Sequence, residues 1–297
     1  MIRCSEGCPS GMTCAGGLCT SGAACGPDSG LIPDASPACG VPGLVTDVAL
    51  GLMHACSLEN DGTIWCSGVN DHGELGNGAF TPMTATPTEV VDALGPITDA
   101  LSISAGKYHT CAVRARDGGS VWCWGQNPAG QLGNASQLDS SIAVEVLATA
   151  GGVLTGAAEV TLGDRYSCAR TTAGQAWCWG EGARYQLGDG TTFARATASP
   201  VLSSTLEPLA GIVQLASGRS EVCALDGAGT VWCWGHNNRG QLGDGSTVDR
   251  VLAHYAHACA RTTSGRMLCW GRNTEGELGD GTYANLGAPA PLGITCK

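Results

Sequence analysis

The pattern C-x9-C-W-G, or a close variant of it, occurs five times in this chain. From the first copy to the fourth, the leading cysteines are separated by 55, 57 and 55 residues, and each copy is followed by a Gln-Leu-Gly or Glu-Leu-Gly signal. Self-similarity at such a period, with no helical pattern between the copies, is typical of a propeller or a related repeat array. The copies begin at Cys56, Cys111, Cys168, Cys223 and Cys259.

The composition supports an all-β chain with a sizeable core. Hydrophobic residues make up 43% of the 297 residues and charged residues only 14%. Forty-six glycines and thirteen prolines indicate short strands joined by tight turns, because glycine supplies the positive φ angles that turns require. The formal net charge of -11 argues against a nucleic-acid partner, since phosphate backbones are bound by clusters of Lys and Arg.

Seventeen cysteines favour an exported protein, because disulfides persist outside the reducing cytosol. We therefore predict an extracellular or cell-surface location. The first residues, MIRCSEGC, carry neither the basic nor the apolar part of a signal peptide, so we expect a signal segment to have been removed or to lie upstream. No apolar run is long enough to cross a bilayer, and we predict no membrane span.

Residues 1–40 are predicted to form a cysteine-rich segment and linker ahead of a propeller over residues 41–297. A stretch this short cannot stabilise itself by apolar burial, so disulfides would have to do so. Gly16 and Gly17 are among the residues expected to break any regular element there. The cysteine spacing loosely resembles EGF-like modules, and zinc binding is the alternative, although the segment has no C-x2-C pair and no histidine. Its cysteines are Cys4, Cys8, Cys14, Cys19, Cys25 and Cys39.

One repeat unit can be delimited from Thr86 to Asn134. It contains an extended run after a proline, a second run ITDALSISAG, and a hairpin formed by HTCAVRA and SVWCWG. Four strands per unit match the sheet of one propeller blade, so we predict about five four-stranded blades.

The two cysteines of each copy are predicted to form a disulfide across a hairpin. Cys56 and Cys66 are symmetric about Asp61, and a three-residue loop ending in Gly62 places them directly opposite each other. The alternative is that the cysteines are reduced and act as small buried hydrophobes. The remaining predicted pairs are Cys111 with Cys123, Cys168 with Cys178, Cys223 with Cys233, and Cys259 with Cys269.

The tryptophans beside the second cysteine of each copy alternate with it along the strand. Trp122 and Trp124 therefore share one face and Cys123 takes the other. Because this pattern recurs from copy to copy, we predict that the tryptophans pack between blades. An aromatic ligand cage is the alternative.

Three motifs together, G-x-x-H-x-C-A-L, D-G-x-V-W-C-W-G and N-x-x-G-Q-L-G-D-G, make the chain resemble the regulator of chromosome condensation repeat family. The cysteines resemble those of exported bacterial members, and the match covers about residues 43–296. The resemblance implies a β-propeller of four-stranded blades, commonly seven. Members include a guanine-nucleotide exchange factor, a plant ultraviolet photoreceptor and a β-lactamase inhibitor. Since these activities use surface residues that the repeat does not specify, the resemblance implies no particular function.

The spacing of the repeats changes between Cys223 and Cys259, which are only 36 residues apart. This interval is too short for two strands and their turn, so we predict one incomplete blade with unpaired strand edges. At the ends, the segments near Leu44 and Leu292 align with different strands of a linker and could together complete one blade and close the ring. A bridge between Cys39 and Cys296 would fasten that seam, leaving an odd set of cysteines before residue 26.

No catalytic motif is found, and we predict no enzyme activity and no cofactor. His54, His109 and His257 each lie two residues before a hairpin cysteine, so a structural role is favoured over catalysis. The Asp-Gly turns lack the alternating acids of a calcium loop and are interpreted as Asx turns. Loops carry function on rigid scaffolds, so the predicted contact residues are those in the variable loops: Arg184, Tyr185, His236 and Arg239.

The sequence therefore predicts a non-catalytic, exported interaction module, a monomer that binds a protein or glycan through its loops. One alternative is an intracellular regulator of a small GTPase, similar to the exchange factor of the family. Another is an enzyme that uses a propeller cleft.

Overall fold

The computed structural model describes residues 12–15, 18–21, 43–203, 206–237, 250–254, 256–261 and 267–291. Strands that follow one another in the chain pair antiparallel and form five sheets around a common axis. The prediction of an all-β propeller with about five blades is confirmed. No helix in the described part is long and apolar enough to cross a bilayer.

The five sheets are the blades, numbered in chain order. The first blade consists of β3 (Val45–Leu50), β4 (His54–Glu59), β5 (Ile64–Val69) and β6 (Met83–Glu89), and the second of β9 (Ala100–Ala105), β10 (His109–Arg114), β11 (Ser120–Gly125) and β12 (Ser140–Glu145). The third blade consists of β13 (Ala157–Leu162), β14 (Tyr166–Thr171), β15 (Ala176–Gly180) and β16 (Arg195–Pro200). The fourth contains β17 (Ile212–Ser217), β18 (Glu221–Asp226) and β19 (Val231–Gly235), and the fifth β20 (Arg250–His254), β21 (His257–Arg261), β22 (Met267–Gly271) and β23 (Leu286–Pro291). Two further small hairpins are formed by β1 (Met12–Ala15) with β2 (Leu18–Ser21) and by β7 (Val91–Asp92) with β8 (Gly95–Pro96).

The repeat unit is displaced by one strand from the predicted unit, Thr86 to Asn134. The strand that contains Thr86, β6, pairs with β5 of the hairpin before it, and the second blade ends with β12, beyond Asn134. We call the first strand of each blade the inner strand and the fourth the outer strand. The outer strand pairs with the third strand, which precedes it in the chain, because this is the shortest connection. The linker after the outer strand leads to the inner strand of the next blade.

Each hairpin places its two cysteines directly opposite each other and joins them. Cys56 faces Cys66 with Cα atoms 4.1 Å apart, and Cys111 faces Cys123 at 4.0 Å despite the longer loop of that copy. Gly62, at the end of the first loop, has a φ of 81°, the conformation expected for the third residue of such a turn. The other disulfides join Cys168 to Cys178, Cys223 to Cys233 and Cys259 to Cys269.

The hydrophobic cores lie between consecutive blades. Between the first two, the Cys56–Cys66 disulfide and Ile64 pack against Ile103 and Trp124 of the second blade. Similar cores join the second blade to the third, the third to the fourth and the fourth to the fifth. In the described ranges, no such core joins the fifth blade to the first.

The first blade exposes the face that other blades bury. Val45, Val48 and Leu50 are 49%, 56% and 72% exposed, whereas their counterparts in β13 are at most 6% exposed. The prediction that the two chain ends share one blade is wrong, because β3 pairs with β4 while β23 pairs with β22. Each end already belongs to a four-stranded sheet of its own. Cys39 and Cys296 lie outside the described residues.

The fourth blade has three strands in the described ranges, as the short interval after Cys223 predicts. β20, the next strand along the chain, pairs with β21 and serves as the inner strand of the fifth blade. Within the described residues the predicted incomplete blade is therefore the fourth, and the strand without a counterpart there is the outer one.

The cysteine-rich segment does contain regular structure, contrary to the prediction. β1 and β2 form an antiparallel hairpin whose register places Cys14 opposite Cys19. Gly16 and Gly17 themselves lie outside the described residues.

Candidate functional site

A cavity of about 700 Å³ lies on the propeller axis. Its walls are the ends of the inner strands of all five blades and the loops that follow them. These loops, which join the first and second strands of each blade, lie on the same side as the loops that join the third and fourth strands. We call this side the loop face. Polar and apolar groups both line the cavity, among them Leu50, Lys107, Thr161, Asp164, Arg219 and His254.

The G-x-x-H motif of the first two blades links each of them to the next blade. His54 of the first blade lies 2.8 Å from the hydroxyl of Thr110 in the second, and His109 of the second lies 2.9 Å from the hydroxyl of Ser167 in the third. The glycine three residues before each histidine is required, because a Cβ at Gly51 would lie 2.1 Å from the His54 ring. His54 and His109 thus have the structural role that the sequence predicts.

Tyr166 takes the same position in the third blade. Its hydroxyl lies 2.9 and 2.7 Å from the backbone carbonyl oxygens of Gly218 and Glu221 in the fourth blade, which share its one hydrogen. Burial raises the pKa of Tyr166 well above its usual value. A tyrosine therefore replaces the histidine without losing the bridge.

Glu221 takes this position in the fourth blade and is the exception. Its carboxylate is almost fully buried, with one oxygen accepting the Ser220 N–H at 3.1 Å and the other without a partner among the described residues. The next blade has Ala258 where Thr110 and Ser167 stand, so it offers no hydroxyl. Burial, reinforced by Asp164 and opposed by Arg219 and Arg184, raises the pKa of Glu221 to about 7.

We expect Glu221 to make the protein less stable as the pH rises. Its folded pKa of about 7 exceeds the usual value of 4.5, so its contribution is complete below pH 4.5 and is lost as the pH rises through 7. The loss should be about 3 kcal/mol at most, since one pKa unit corresponds to about 1.4 kcal/mol. Urea denaturation at a series of pH values should show this loss in the wild type and not in Glu221→Gln. Parallel pH curves for the two proteins would contradict it.

The second tryptophan of each copy reaches back to the preceding blade. Trp124, Trp179 and Trp234 donate their ring N–H to the carbonyls of Glu74, Gln131 and Gln186, at 2.9, 2.8 and 3.1 Å. Trp124, Trp179 and Trp270 are at most 2% exposed, which supports packing between blades and not a ligand cage. The first copy has Ser67 instead of this tryptophan.

A buried asparagine holds each regular loop between the third and fourth strands. The side-chain oxygen of Asn127 accepts the Leu132 N–H at 2.9 Å, and its nitrogen donates to the carbonyls of Ser136 and Leu138 at 3.0 Å each. Asn70 and Asn273 accept the equivalent leucine N–H in the first and fifth blades. The sequence contains this asparagine in the N-x-x-G-Q-L-G motif, but its role as the organiser of the loop was not predicted.

The third blade departs from this loop at two positions. Gly182 replaces the asparagine, and Tyr185 replaces the glycine that is Gly73 or Gly130 in other blades. Those glycines have a φ of 83°, and Tyr185 keeps a φ of 62° although a side chain is strained there. The Tyr185 side chain is 56% exposed. Beside it, Arg184 donates to the Ser220 hydroxyl at 3.3 Å, next to the axial cavity.

Large apolar side chains stand exposed at the tips of the loops between the third and fourth strands. Phe80, Leu138, Phe193 and Tyr283 are 57%, 77%, 71% and 75% exposed, one in each blade whose loop is described. On the opposite face, Leu94 and Leu206 are the comparable residues among the linkers described. The loop face is therefore the side better supplied with contact residues of the kind that anchor protein partners.

The predicted contact residues Arg184, Tyr185 and His236 all lie in loops on this face, and Arg239 lies outside the described residues. The Asp-Gly turns at Asp189 and Asp280 are Asx turns: Asp189 accepts the Thr191 N–H at 3.0 Å and Asp280 the Thr282 N–H at 2.9 Å. The described part of the chain contains no cluster of acids, histidines and cysteines able to hold a metal ion.

Five antiparallel sheets arranged around an axial cavity, with cores between them, define a β-propeller built from repeats. The sequence profile of the RCC1-like domain matches residues 15–295, and the chain belongs to this family. The resemblance to the regulator of chromosome condensation repeat is thereby confirmed.

The chain is similar to parts of much longer curated proteins. It is 31% identical over 211 residues to the probable E3 ubiquitin-protein ligase HERC3 of Homo sapiens, covering 69% of this chain and 19% of that protein. It is 30% identical over 202 residues to the mitochondrial RCC1 domain-containing protein RUG3 of Arabidopsis thaliana, covering 67% of this chain and 44% of that protein. The chain thus spans less than half the length of these relatives.

Two solved structures share the fold. Human WBSCR16 superposes with a TM-score of 0.71 at 20% identity, covering 84% of this chain and 67% of that one. Yeast RCC1 (Prp20), solved bound to Kap60, superposes with a TM-score of 0.69 at 18% identity, covering 84% of this chain and 64% of that one. At these identities the likeness concerns the fold alone.

Proposed function

We propose that this chain is an exported, non-catalytic interaction module that binds a protein through the loop face. The observation that carries the proposal is Tyr185, a half-exposed aromatic residue held at a position where the repeat uses glycine. Local strain that the repeat does not require is concentrated at functional sites in proteins. Exposed aromatic residues surrounded by ordered contacts are typical anchors of protein interfaces.

The apolar residues at the loop tips and the axial cavity extend the proposed surface. Phe193, in the same loop as Tyr185, is 71% exposed, and Lys107 and Arg219 line the adjoining cavity. A protein partner fits this mixture of apolar anchors and charges better than a glycan does. The five hairpin disulfides support an oxidising location, outside the cytosol.

Substitution of Tyr185 by glycine separates binding from folding. Glycine adopts a φ of 62° without strain, so the stability of Tyr185→Gly should stay unchanged or rise by about 1 kcal/mol, while the aromatic anchor is lost. The oxidised wild type, immobilised, should capture a protein from cell-surface or extracellular fractions, and Tyr185→Gly should capture at least tenfold less of it.

Leu206→Gly is the matched control. Leu206 also has a φ of 62° and is 73% exposed, but it lies on the opposite face. Capture should be unchanged in this variant. Equal capture by Tyr185→Gly and wild type would contradict the proposed surface. Selective capture of a cytosolic GTPase would instead support the alternative of an intracellular regulator. Prp20p of Saccharomyces cerevisiae, which has the same fold, was described together with its binding properties to Gsp1p and histones.

A further inference from the structure

The outer edge of the fourth blade is a strand position without an occupant in the described ranges. β19 pairs with β18 on one side and with no described strand on the other. Its residues are correspondingly more exposed than their counterparts. Cys233 is partly exposed, whereas the second cysteine of every other hairpin is at most 2% exposed, and Trp232 is 39% exposed.

The other blades show what such an edge binds. In the first blade the Val90 N–H donates to the Ile64 carbonyl at 2.9 Å, and in the third the Val201 N–H donates to the Ala176 carbonyl at 2.9 Å. The equivalent carbonyl in β19 belongs to Val231. Since backbone groups on one strand alternate between its two neighbours, Val231, Cys233 and Gly235 present their N–H and C=O groups to the open side.

The outer strands of this chain also define the chemistry of an occupant. They are six or seven residues long, run antiparallel to the strand beside them, and consist mainly of small, β-branched and proline residues. In three blades the strand is followed by a valine that is at most 1% exposed, Val90, Val146 or Val201. An occupant of the fourth blade would therefore be an extended segment ending in a β-branched apolar residue.

The described part of the chain has no strand left to fill this position. Four blades already have an outer strand, namely β6, β12, β16 and β23. The strand β20 pairs with β21 along its whole length, from Arg250 opposite Arg261 to His254 opposite His257. We propose that the edge of β19 is a docking site for an extended segment of a partner protein, which adds as the fourth strand of the blade. This site lies on the rim of the propeller, apart from the loop face.

A peptide copied from this protein is a suitable probe. The fluorescent peptide RATASPV, residues 195–201, carries the outer strand of the third blade and its valine. In the third blade the Val201 N–H donates to the Ala176 carbonyl of β15, and Ser199 stands opposite Cys178 of the same strand. The Ala198 N–H points away from β15 and donates to the Leu147 carbonyl. N-methylation at the Ser199 position should therefore weaken binding to the full chain at least tenfold, and N-methylation at the Ala198 position less than twofold.

Val231→Pro tests the site on the protein. Proline is tolerated at an edge strand where its missing N–H faces the open side, so the hairpin disulfide and the β18 pairing should persist. Because the proline ring projects from the edge into the space that a docked strand would occupy, peptide binding should fall at least tenfold, with the circular dichroism spectrum unchanged. Absence of peptide binding to the wild type, or equal binding of the two methylated peptides, would overturn the proposal. So would a wild-type dimer that Val231→Pro converts to monomer, because a second copy would then be the occupant.

Discussion

Replacement of Trp179 by alanine is expected to destabilise the protein by about 4 kcal/mol, the range for truncating a fully buried tryptophan. Trp179 is 0% exposed and belongs to the same core as the Cys111–Cys123 disulfide. Its ring N–H donates to the Gln131 carbonyl at 2.8 Å. The substitution therefore opens a cavity between the second and third blades and removes one of the two donors to the Gln131 carbonyl, the other being the Ser167 hydroxyl at 2.9 Å. Guanidinium denaturation of the oxidised protein measures the effect.

Trp232→Ala is the control for this experiment. Trp232 is the first tryptophan of its copy, is 39% exposed, and makes its ring hydrogen bond within its own blade, to Asp226 at 3.0 Å. Its replacement should cost less than about 1 kcal/mol, as is usual for partly exposed positions. Equal losses for the two variants would show that the contacts between blades are not what stabilises the array.

Acid is expected to unfold the protein through His109. Burial lowers the pKa of His109 to about 3 from the usual 6.5, so the neutral ring is favoured in the folded state. The stability it confers is complete above pH 6.5 and is lost as the pH falls through 3. The loss approaches about 5 kcal/mol, at about 1.4 kcal/mol for each pKa unit. His54, whose pKa burial lowers to about 4, acts in the same direction.

His109→Gln removes the titrating ring and keeps a polar side chain near the Ser167 hydroxyl. The fall in unfolding free energy between pH 6.5 and 3 should therefore be smaller in this variant than in the wild type. His72→Gln is the control, because its side chain is 39% exposed and pairs with Asp139 on the surface. The same pH dependence in the wild type and His109→Gln would contradict the assignment.

The sequence predicted those features that depend on neighbouring residues. Symmetry about Asp61 was enough to place Cys56 opposite Cys66, because a short hairpin loop fixes the register. The short interval after Cys223 was enough to predict an incomplete blade. The role of His54 also followed, since a histidine recurring at one position of a repeat is more often structural.

The sequence did not predict features that depend on distant segments. Nothing in the sequence of the strand that contains Thr86 indicates whether it pairs with the hairpin before it or the hairpin after it. The predicted repeat unit is therefore displaced by one strand from the observed blade. The same ambiguity led to the prediction that the segments near Leu44 and Leu292 share a sheet. The exception at Glu221 leaves a trace in the sequence, because Ala258 stands where the second and third blades have the hydroxyls of Thr110 and Ser167. That difference is informative only once the contact between these positions of neighbouring blades is known.

The tryptophan bonds run in one direction along the chain. Each of these tryptophans donates to a loop of the preceding blade, which is nearer the N-terminus. The first blade has Ser67 at this position and therefore no tryptophan to make this bond. During synthesis, the acceptor carbonyl of Gln131 has therefore already emerged when Trp179 is added. The array can be assembled blade by blade in the order of translation, with each new blade docking on a surface that is already folded.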